Sequence, residues 1–275
     1  LSSNLTNSEV TTNGTDDFRS FDSDGFTVGD SSNYFVNSVG DTHAAWCWDA
    51  GGSGSSNTNG SITSTVSANP TAGFSIVTFT GNGSTATFGH GLGVAPRFVI
   101  VKKRAGGTMG AGYSDWLVYS QAAVDGGAGS DAFYYLNSTA GTSNSSSVFS
   151  GAPTSTIVNI GNNQIINNSG STFVAYCFAE VEGYSKFGSY NANNSTDGPF
   201  VYLGFAPKFL LIKSTTARSW LMMDTERGAY NPVNIAIRPG DGADGDETNN
   251  WDIDFLSNGF KVRGVNANTN TDVSG

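Results

Sequence analysis

Charge is scarce in this chain. Lys, Arg, Asp and Glu make up 13% of its 275 residues, and the net charge is −10. A protein so short of cations lacks the basic footprint that nucleic acid requires, and it is not drawn to anionic membranes. No apolar run approaches the roughly 20 residues that span a bilayer, so no membrane insertion is expected. Helical patterning is missing as well: no window places apolar residues at i, i+3, i+4 and i+7 over several turns. Two histidines and two cysteines leave little material for a zinc site, which takes three or four ligands. There is no Gly-x-Ser-x-Gly elbow between a strand and a helix, and no Cys–His pairing that suggests a nucleophile.

What the chain does have is short apolar runs, rich in Val, Ile, Phe, Tyr and Thr, between clusters of Gly, Asn and Ser. That alternation predicts an all-β protein. The aromatic fraction of 12% argues against a disordered polar tail. Strands are expected at 74–80, 85–88, 97–102, 116–119, 132–136, 156–160 and 172–179, enough for an antiparallel β-sandwich. The run Phe98-Val99-Ile100-Val101 is apolar on both faces, which places it centrally in a sheet.

The most informative feature is internal duplication. Gly73-Phe74-Ser75 opens a stretch ending in Ala95-Pro96-Arg97-Phe98-Val99-Ile100-Val101-Lys102, and Gly183-Tyr184-Ser185 opens one ending in Ala206-Pro207-Lys208-Phe209-Leu210-Leu211-Ile212-Lys213. A period of about 110 residues is a duplicated domain, since solenoid units run 20–50 residues. His43-Ala44-Ala45-Trp46-Cys47-Trp48 mirrors Thr172–Phe178, with Cys47 on Cys177, and Phe21–Val28 resembles Phe255–Val262. The expected organisation is tandem antiparallel β-sandwich repeats of about 110 residues. Residues 1–50 are then the C-terminal part of a first repeat, 51–72 a linker or loop, 73–182 a complete repeat, and 183–275 a second repeat lacking its last strand. Either the chain is a window on a longer protein or the missing strand comes from elsewhere. An unfinished sheet invites a foreign strand, and His43, Ala44, Ala45, Trp46, Cys47 and Trp48 are of the required type.

The equivalent positions of the two cysteines predict two buried free thiols rather than a bridge, which needs Cα atoms within about 7 Å. His90, in Gly89-His90-Gly91-Leu92-Gly93, reads as a surface turn residue. With Tyr113 in the Gly-rich loop at 105–113, it is a candidate contact for a receptor or glycan. The acidic loop with Asp241, Asp244, Asp246 and Glu247 is the best candidate for calcium, because several carboxylates on a flexible loop can gather oxygen ligands; otherwise no cofactor is expected. A glycan depolymerase would need two facing carboxylates, and a duplicated enzyme should repeat them. Asp115 instead aligns with Ser219, and Glu182 with Ala72.

The blocks Ala45–Gly52, Gly60–Val77, Gly89–Pro96 and Val174–Tyr190 resemble a family of uncharacterised repeat modules in the virion proteins of tailed bacteriophages, common in aquatic and marine phages. The resemblance covers most of residues 20–265. It implies an all-β, non-enzymatic component of a tail fibre or related appendage, located on the virion or outside the cell and contributing to host attachment. Its implied partners are copies of itself, other virion proteins and a host surface glycan. The missing strand points to an alternative, a self-assembling subunit of an extracellular filament or capsid decoration.

Overall fold

A computed structural model of the chain describes residues 1, 3–9, 18–29, 37, 39–106, 114–240 and 247–271. It divides into two compact units, Glu9–Trp48 and Leu1–Ser8 with Asp49–Gly275. Among the described residues the protein is nearly all β, and every strand pairing is antiparallel.

The smaller unit holds one hairpin, β1 (Phe18–Asp22) and β2 (Gly25–Val28), with Phe21 opposite Phe26 and Asp22 opposite Gly25. His43–Trp48, expected as a strand, carries neither strand nor helix here. Cys47, expected to be buried, is exposed, while Cys177 is fully buried; both are free thiols. The difference follows from the ladder: Cys177 lies inside a strand flanked on both sides, and Cys47 lies outside any strand.

The larger unit is built on a sheet of eight strands. They are β3 (Ser55–Asn57), β4 (Ser64–Asn69), β5 (Phe74–Thr80), β7 (Phe98–Ala105), β8 (Trp116–Ser120), β9 (Ala132–Tyr135), β10 (Ser143–Asn144) and β12 (Thr172–Phe178). Their spatial order is β10-β9-β8-β7-β12-β5-β4-β3. Two further strands, β6 (Ala86–Gly89) and β11 (Ile157–Ile160), pair with each other. All seven strands read from the sequence of 73–182 are present, and β7 is central as its two apolar faces require. Residues 51–72 are not a linker: β3 and β4 lie there, and β4 extends the sheet beside β5. Their Ser- and Thr-rich sequence concealed them, because β4 buries only every second side chain at its start, Ser64 and Val66. Short helical turns α1 (Gln121–Asp125) and α2 (Gln164–Asn167) complete this part.

One face of the large sheet presents Val77, Phe79, Val99, Val101, Leu117, Phe173, Ala175 and Cys177 to a core closed by Phe88, Val158 and Ile160 of β6 and β11. Phe79 stacks on both Phe88 and Phe173. The opposite face is also buried. Trp116, Val118, Tyr134 and Leu136 form a cluster there with Trp220.

Trp220 belongs to the second half of this unit, which contains β13 (Phe200–Tyr202), β14 (Phe209–Ile212), β15 (Leu221–Asp224), β16 (Val233–Ala236), β17 (Glu247–Leu256) and β18 (Gly259–Val262). β14 pairs with β15, while β13, β18, β17 and β16 form a four-stranded sheet in that order. Leu210, Ile212, Leu221, Met223, Val233, Trp251, Ile253 and Val262 make its core. Trp220 Nε1 donates to the Tyr135 carbonyl at 2.9 Å and Thr142 N donates to the Thr215 carbonyl at 2.8 Å, so packing and hydrogen bonds join the halves.

The two halves share a local device. Asn167, fully buried, accepts from Asn82 N at 2.9 Å and donates to the Ser84 carbonyl; Asn270, equally buried, accepts from Asn193 N at 2.9 Å and donates to the Ser195 carbonyl. Gly83 N bonds the Asn167 carbonyl as Asn194 N bonds that of Asn270. Each asparagine ends a helical turn whose first residue, Asn163 or Asn266, accepts from the amide two residues on. The loop residue between needs a left-handed backbone: Gly83 has φ 75°, and Asn194, with φ 54°, is the residue type that best tolerates it after glycine. Likewise β17–β18 repeats the register of β1–β2, with Phe255 opposite Phe260 and Leu256 opposite Gly259.

Candidate functional site

His90 is not at the surface. It is fully buried, and Leu92 N donates to its Nδ1 at 3.3 Å. Nδ1 is therefore the acceptor, the proton sits on Nε2, and Nε2 donates to the Thr154 carbonyl at 3.1 Å. Burial lowers its pKa below the usual 6.5, opposed by the bond to Thr154. His90 thus braces a turn against the loop before β11, and its expected role as a receptor or glycan contact is corrected on this ground. Flanking glycines suggested exposure; here they let the backbone fold tightly around the ring, with Gly91 at φ 74° and Gly93 at φ 76°. Tyr113, Asp241, Asp244 and Asp246 lie outside the described residues, as does the side chain of Glu247, which opens β17. Among the described residues no three His, Cys, Asp or Glu side chains gather as a metal site.

A shallow cleft of about 380 Å³ is lined by Asp49, Asn69, Thr71, Ala72, Val181 and Tyr184. β4 ends at Asn69, and the turn to β5 carries Thr71 and Ala72. Asp49 Oδ1 accepts from Gly51 N at 3.0 Å and Oδ2 from Asn69 Nδ2 at 3.1 Å, while Asn69 Oδ1 accepts from Ala72 N at 3.1 Å. The carboxylate is held in place with lone pairs to spare. Tyr184, 58% exposed, offers a ring face beside it. A fixed carboxylate next to an exposed aromatic face suits a polyhydroxylated ring, which stacks its C–H face and donates hydroxyl protons. None of these residues stands out in the sequence. Asp49 and Tyr184 are 135 positions apart, and only the fold brings them together.

A second feature is the contrast between Lys102 and Lys103, adjacent on β7 and both without solvent exposure. Lys102 Nζ donates to the Ser114 carbonyl and sits 5.7 Å from the centre of the Trp116 ring. Burial pulls its pKa down to about 8, with Asp115 pulling the other way. Lys103 points to the opposite face, its Nζ has no hydrogen-bond partner, and burial lowers its pKa too. These amines are held inside the sheet rather than offered to a ligand.

The third feature is the edge of β14. Its counterpart β7 is bonded on both sides, to β8 and to β12. Among the described residues β14 has a ladder only with β15. Residues 186–190, which the sequence alignment places on 76–80 of β5, form no strand.

In its described part the chain is an all-β protein with amide-braced loops and a shallow cleft beside Asp49. The chain belongs to a family described as a domain of unknown function (DUF7483), whose model matches residues 1–275. No curated protein matches the chain, and no solved structure matches it.

Proposed function

We propose that this chain is a structural component of a phage virion, part of a tail fibre or related appendage, built from tandem β-sandwich repeats of about 110 residues and contributing to host attachment. The observation that carries the modular part is the recurrence at Asn270 of two bonds of the Asn167 brace, one accepted from a loop amide and one donated to the carbonyl two residues on. The recurrence of the β1–β2 register in β17–β18 supports it. Attachment rests on the resemblance to phage virion modules and on the cleft at Asp49 and Tyr184. Its chemistry suits a host surface glycan, and loops on a rigid scaffold are where recognition is usually placed. Antibodies raised against the chain provide the test, by immunogold labelling of phage particles released from a culture carrying the gene. Gold on an appendage is expected; unlabelled particles with the antigen left in the cell extract contradict the reading. If the appendage binds glycan through the cleft, Asp49→Asn and Tyr184→Ala each weaken adsorption to host polysaccharide. A second reading, a self-assembling filament subunit or capsid decoration, is favoured by the single-sided pairing of β14.

A further inference from the structure

We propose that the cleft at Asp49 and Tyr184 takes a sugar with a free, protonated amine, a hexosamine unit, in preference to a neutral or acidic sugar. The inference rests on the glycan reading of the same cleft above. Its walls are two turns fastened to each other. Gly73 N closes the turn from β4 to β5 on the Pro70 carbonyl at 3.3 Å, and Ala179 N donates to the Gly73 carbonyl at 2.7 Å. A Cβ on Gly73 would stand 2.7 Å from the Ala179 carbonyl oxygen, so glycine lets the two backbones meet. The segment leaving β12 then folds back. Tyr184 N donates to the Val181 carbonyl at 3.0 Å, and Ser185 Oγ to the Ala179 carbonyl at 3.2 Å. Tyr184 therefore stands on a closed turn, and Asp49 is fixed by Gly51 N and Asn69 Nδ2. A ligand meets a cleft already formed.

Charge selects the class of sugar. Of the six residues that line the cleft, Asp49 alone is ionised at neutral pH, and it is exposed. Glu182, also exposed, lies on the turn that carries Tyr184. The sign of the cleft is negative, as is that of the whole chain at −10. A carboxylate only accepts hydrogen bonds, and its two oxygens have about four lone-pair sites. Two are taken from inside, so the ligand must donate to the rest. An ammonium group brings several N–H donors and the opposite charge. A hydroxyl brings a donor alone, and the carboxylate of a uronic acid meets like charge. The face of Tyr184 acts in the same direction, because a cation is drawn to an aromatic ring. The exposed Thr71 can bond hydroxyls of any sugar and does not discriminate.

Two ligands that differ only at the nitrogen provide the test: a glucosamine disaccharide and its N-acetylated counterpart. Each is titrated into the intact purified chain at low salt, at a pH where the free amine is protonated. The free-amine form is expected to bind about fivefold tighter or more, from an exposed ion pair and a cation over a ring. Raising the salt should narrow that gap, and Asp49→Asn should close it. General attraction to an acidic protein would survive the loss of one charge from a net of −10, so a gap unchanged in Asp49→Asn overturns the proposal. Should that variant fail to fold, Tyr184→Leu takes its place: a narrowed gap is expected, and an unchanged one overturns the proposal. Equal binding of the two disaccharides, or tighter binding of the N-acetylated one, overturns the amine preference and leaves the glycan reading standing. Binding of neither overturns both. The titration is independent of whether virions label, so it and the virion reading can fail separately.

Discussion

The first and second halves of the larger unit each hold a strand of like sequence, Phe98-Val99-Ile100-Val101 and Phe209-Leu210-Leu211-Ile212, in different settings. Phe98–Ala105 sits in the middle of eight strands; Phe209–Ile212 has a ladder with one. Among the described residues the two differ in their neighbours and in sequence. Beside β7, β12 pairs with residues 74–80 as well, and its cysteine is sealed in the core. Near β14, residues 186–190, Lys-Phe-Gly-Ser-Tyr against Ile-Val-Thr-Phe-Thr at 76–80, form no strand, and Tyr184 is exposed. A strand is a cooperative object: its hydrogen bonds and burial both come from neighbours.

The comparison breaks most readily at the joint between the halves. Trp220 is 2% exposed, meets Phe98 and Tyr134 edge-on and donates to the Tyr135 carbonyl. Trp220→Ala is expected to lower stability by about 3–5 kcal/mol. In calorimetry it should split one unfolding transition into two, with the second half melting first; a single, merely shifted transition would show that the halves do not rely on this ring.

The asparagine braces sharpen the comparison. Asn167→Ala strands Asn82 N and the Ser84 and Gly161 carbonyls; a loss of about 3 kcal/mol is expected at 1–3 kcal/mol for each buried group left without a partner. Asn270→Ala strands Asn193 N and the Ser195 carbonyl and should lose somewhat less, about 2 kcal/mol on the same basis. Chemical denaturation of both variants checks this. A negligible effect at Asn270 would make the likeness of the two loops superficial.

These braces also mark the limit of what the sequence could reveal. Apolar runs bounded by Gly and Asn located the seven strands of 73–182, because a β pattern can be read one segment at a time. Asn167 and Asn270 could not be singled out from a chain crowded with asparagine, since their importance comes from loops some 80 residues away. β4 was hidden by its Ser and Thr content, and the burial of His90 by glycines that usually signal exposure. The cleft was illegible for the same reason as the braces: Asp49, Asn69 and Tyr184 meet only through the turn between β4 and β5 and the bend after β12.

The smallest expected effect is a pH dependence confined to the first half. His90 is buried and neutral, so its folded pKa lies below the unfolded value. The unfolded state then binds more protons as the medium acidifies, and stability held above pH 6.5 falls as pH drops below it. The other histidine, His43, is exposed. Thermal unfolding of wild type should therefore decline from pH 6.5 toward about 5, before most carboxylates titrate, and His90→Gln should flatten that decline. An unchanged slope in the variant would assign it elsewhere.

Hydrogen exchange tests the central asymmetry most directly. Amides of β14 that point away from β15 should exchange fast, while those of β7 facing β8 and β12 stay protected. Equal protection of β7 and β14 would contradict the account.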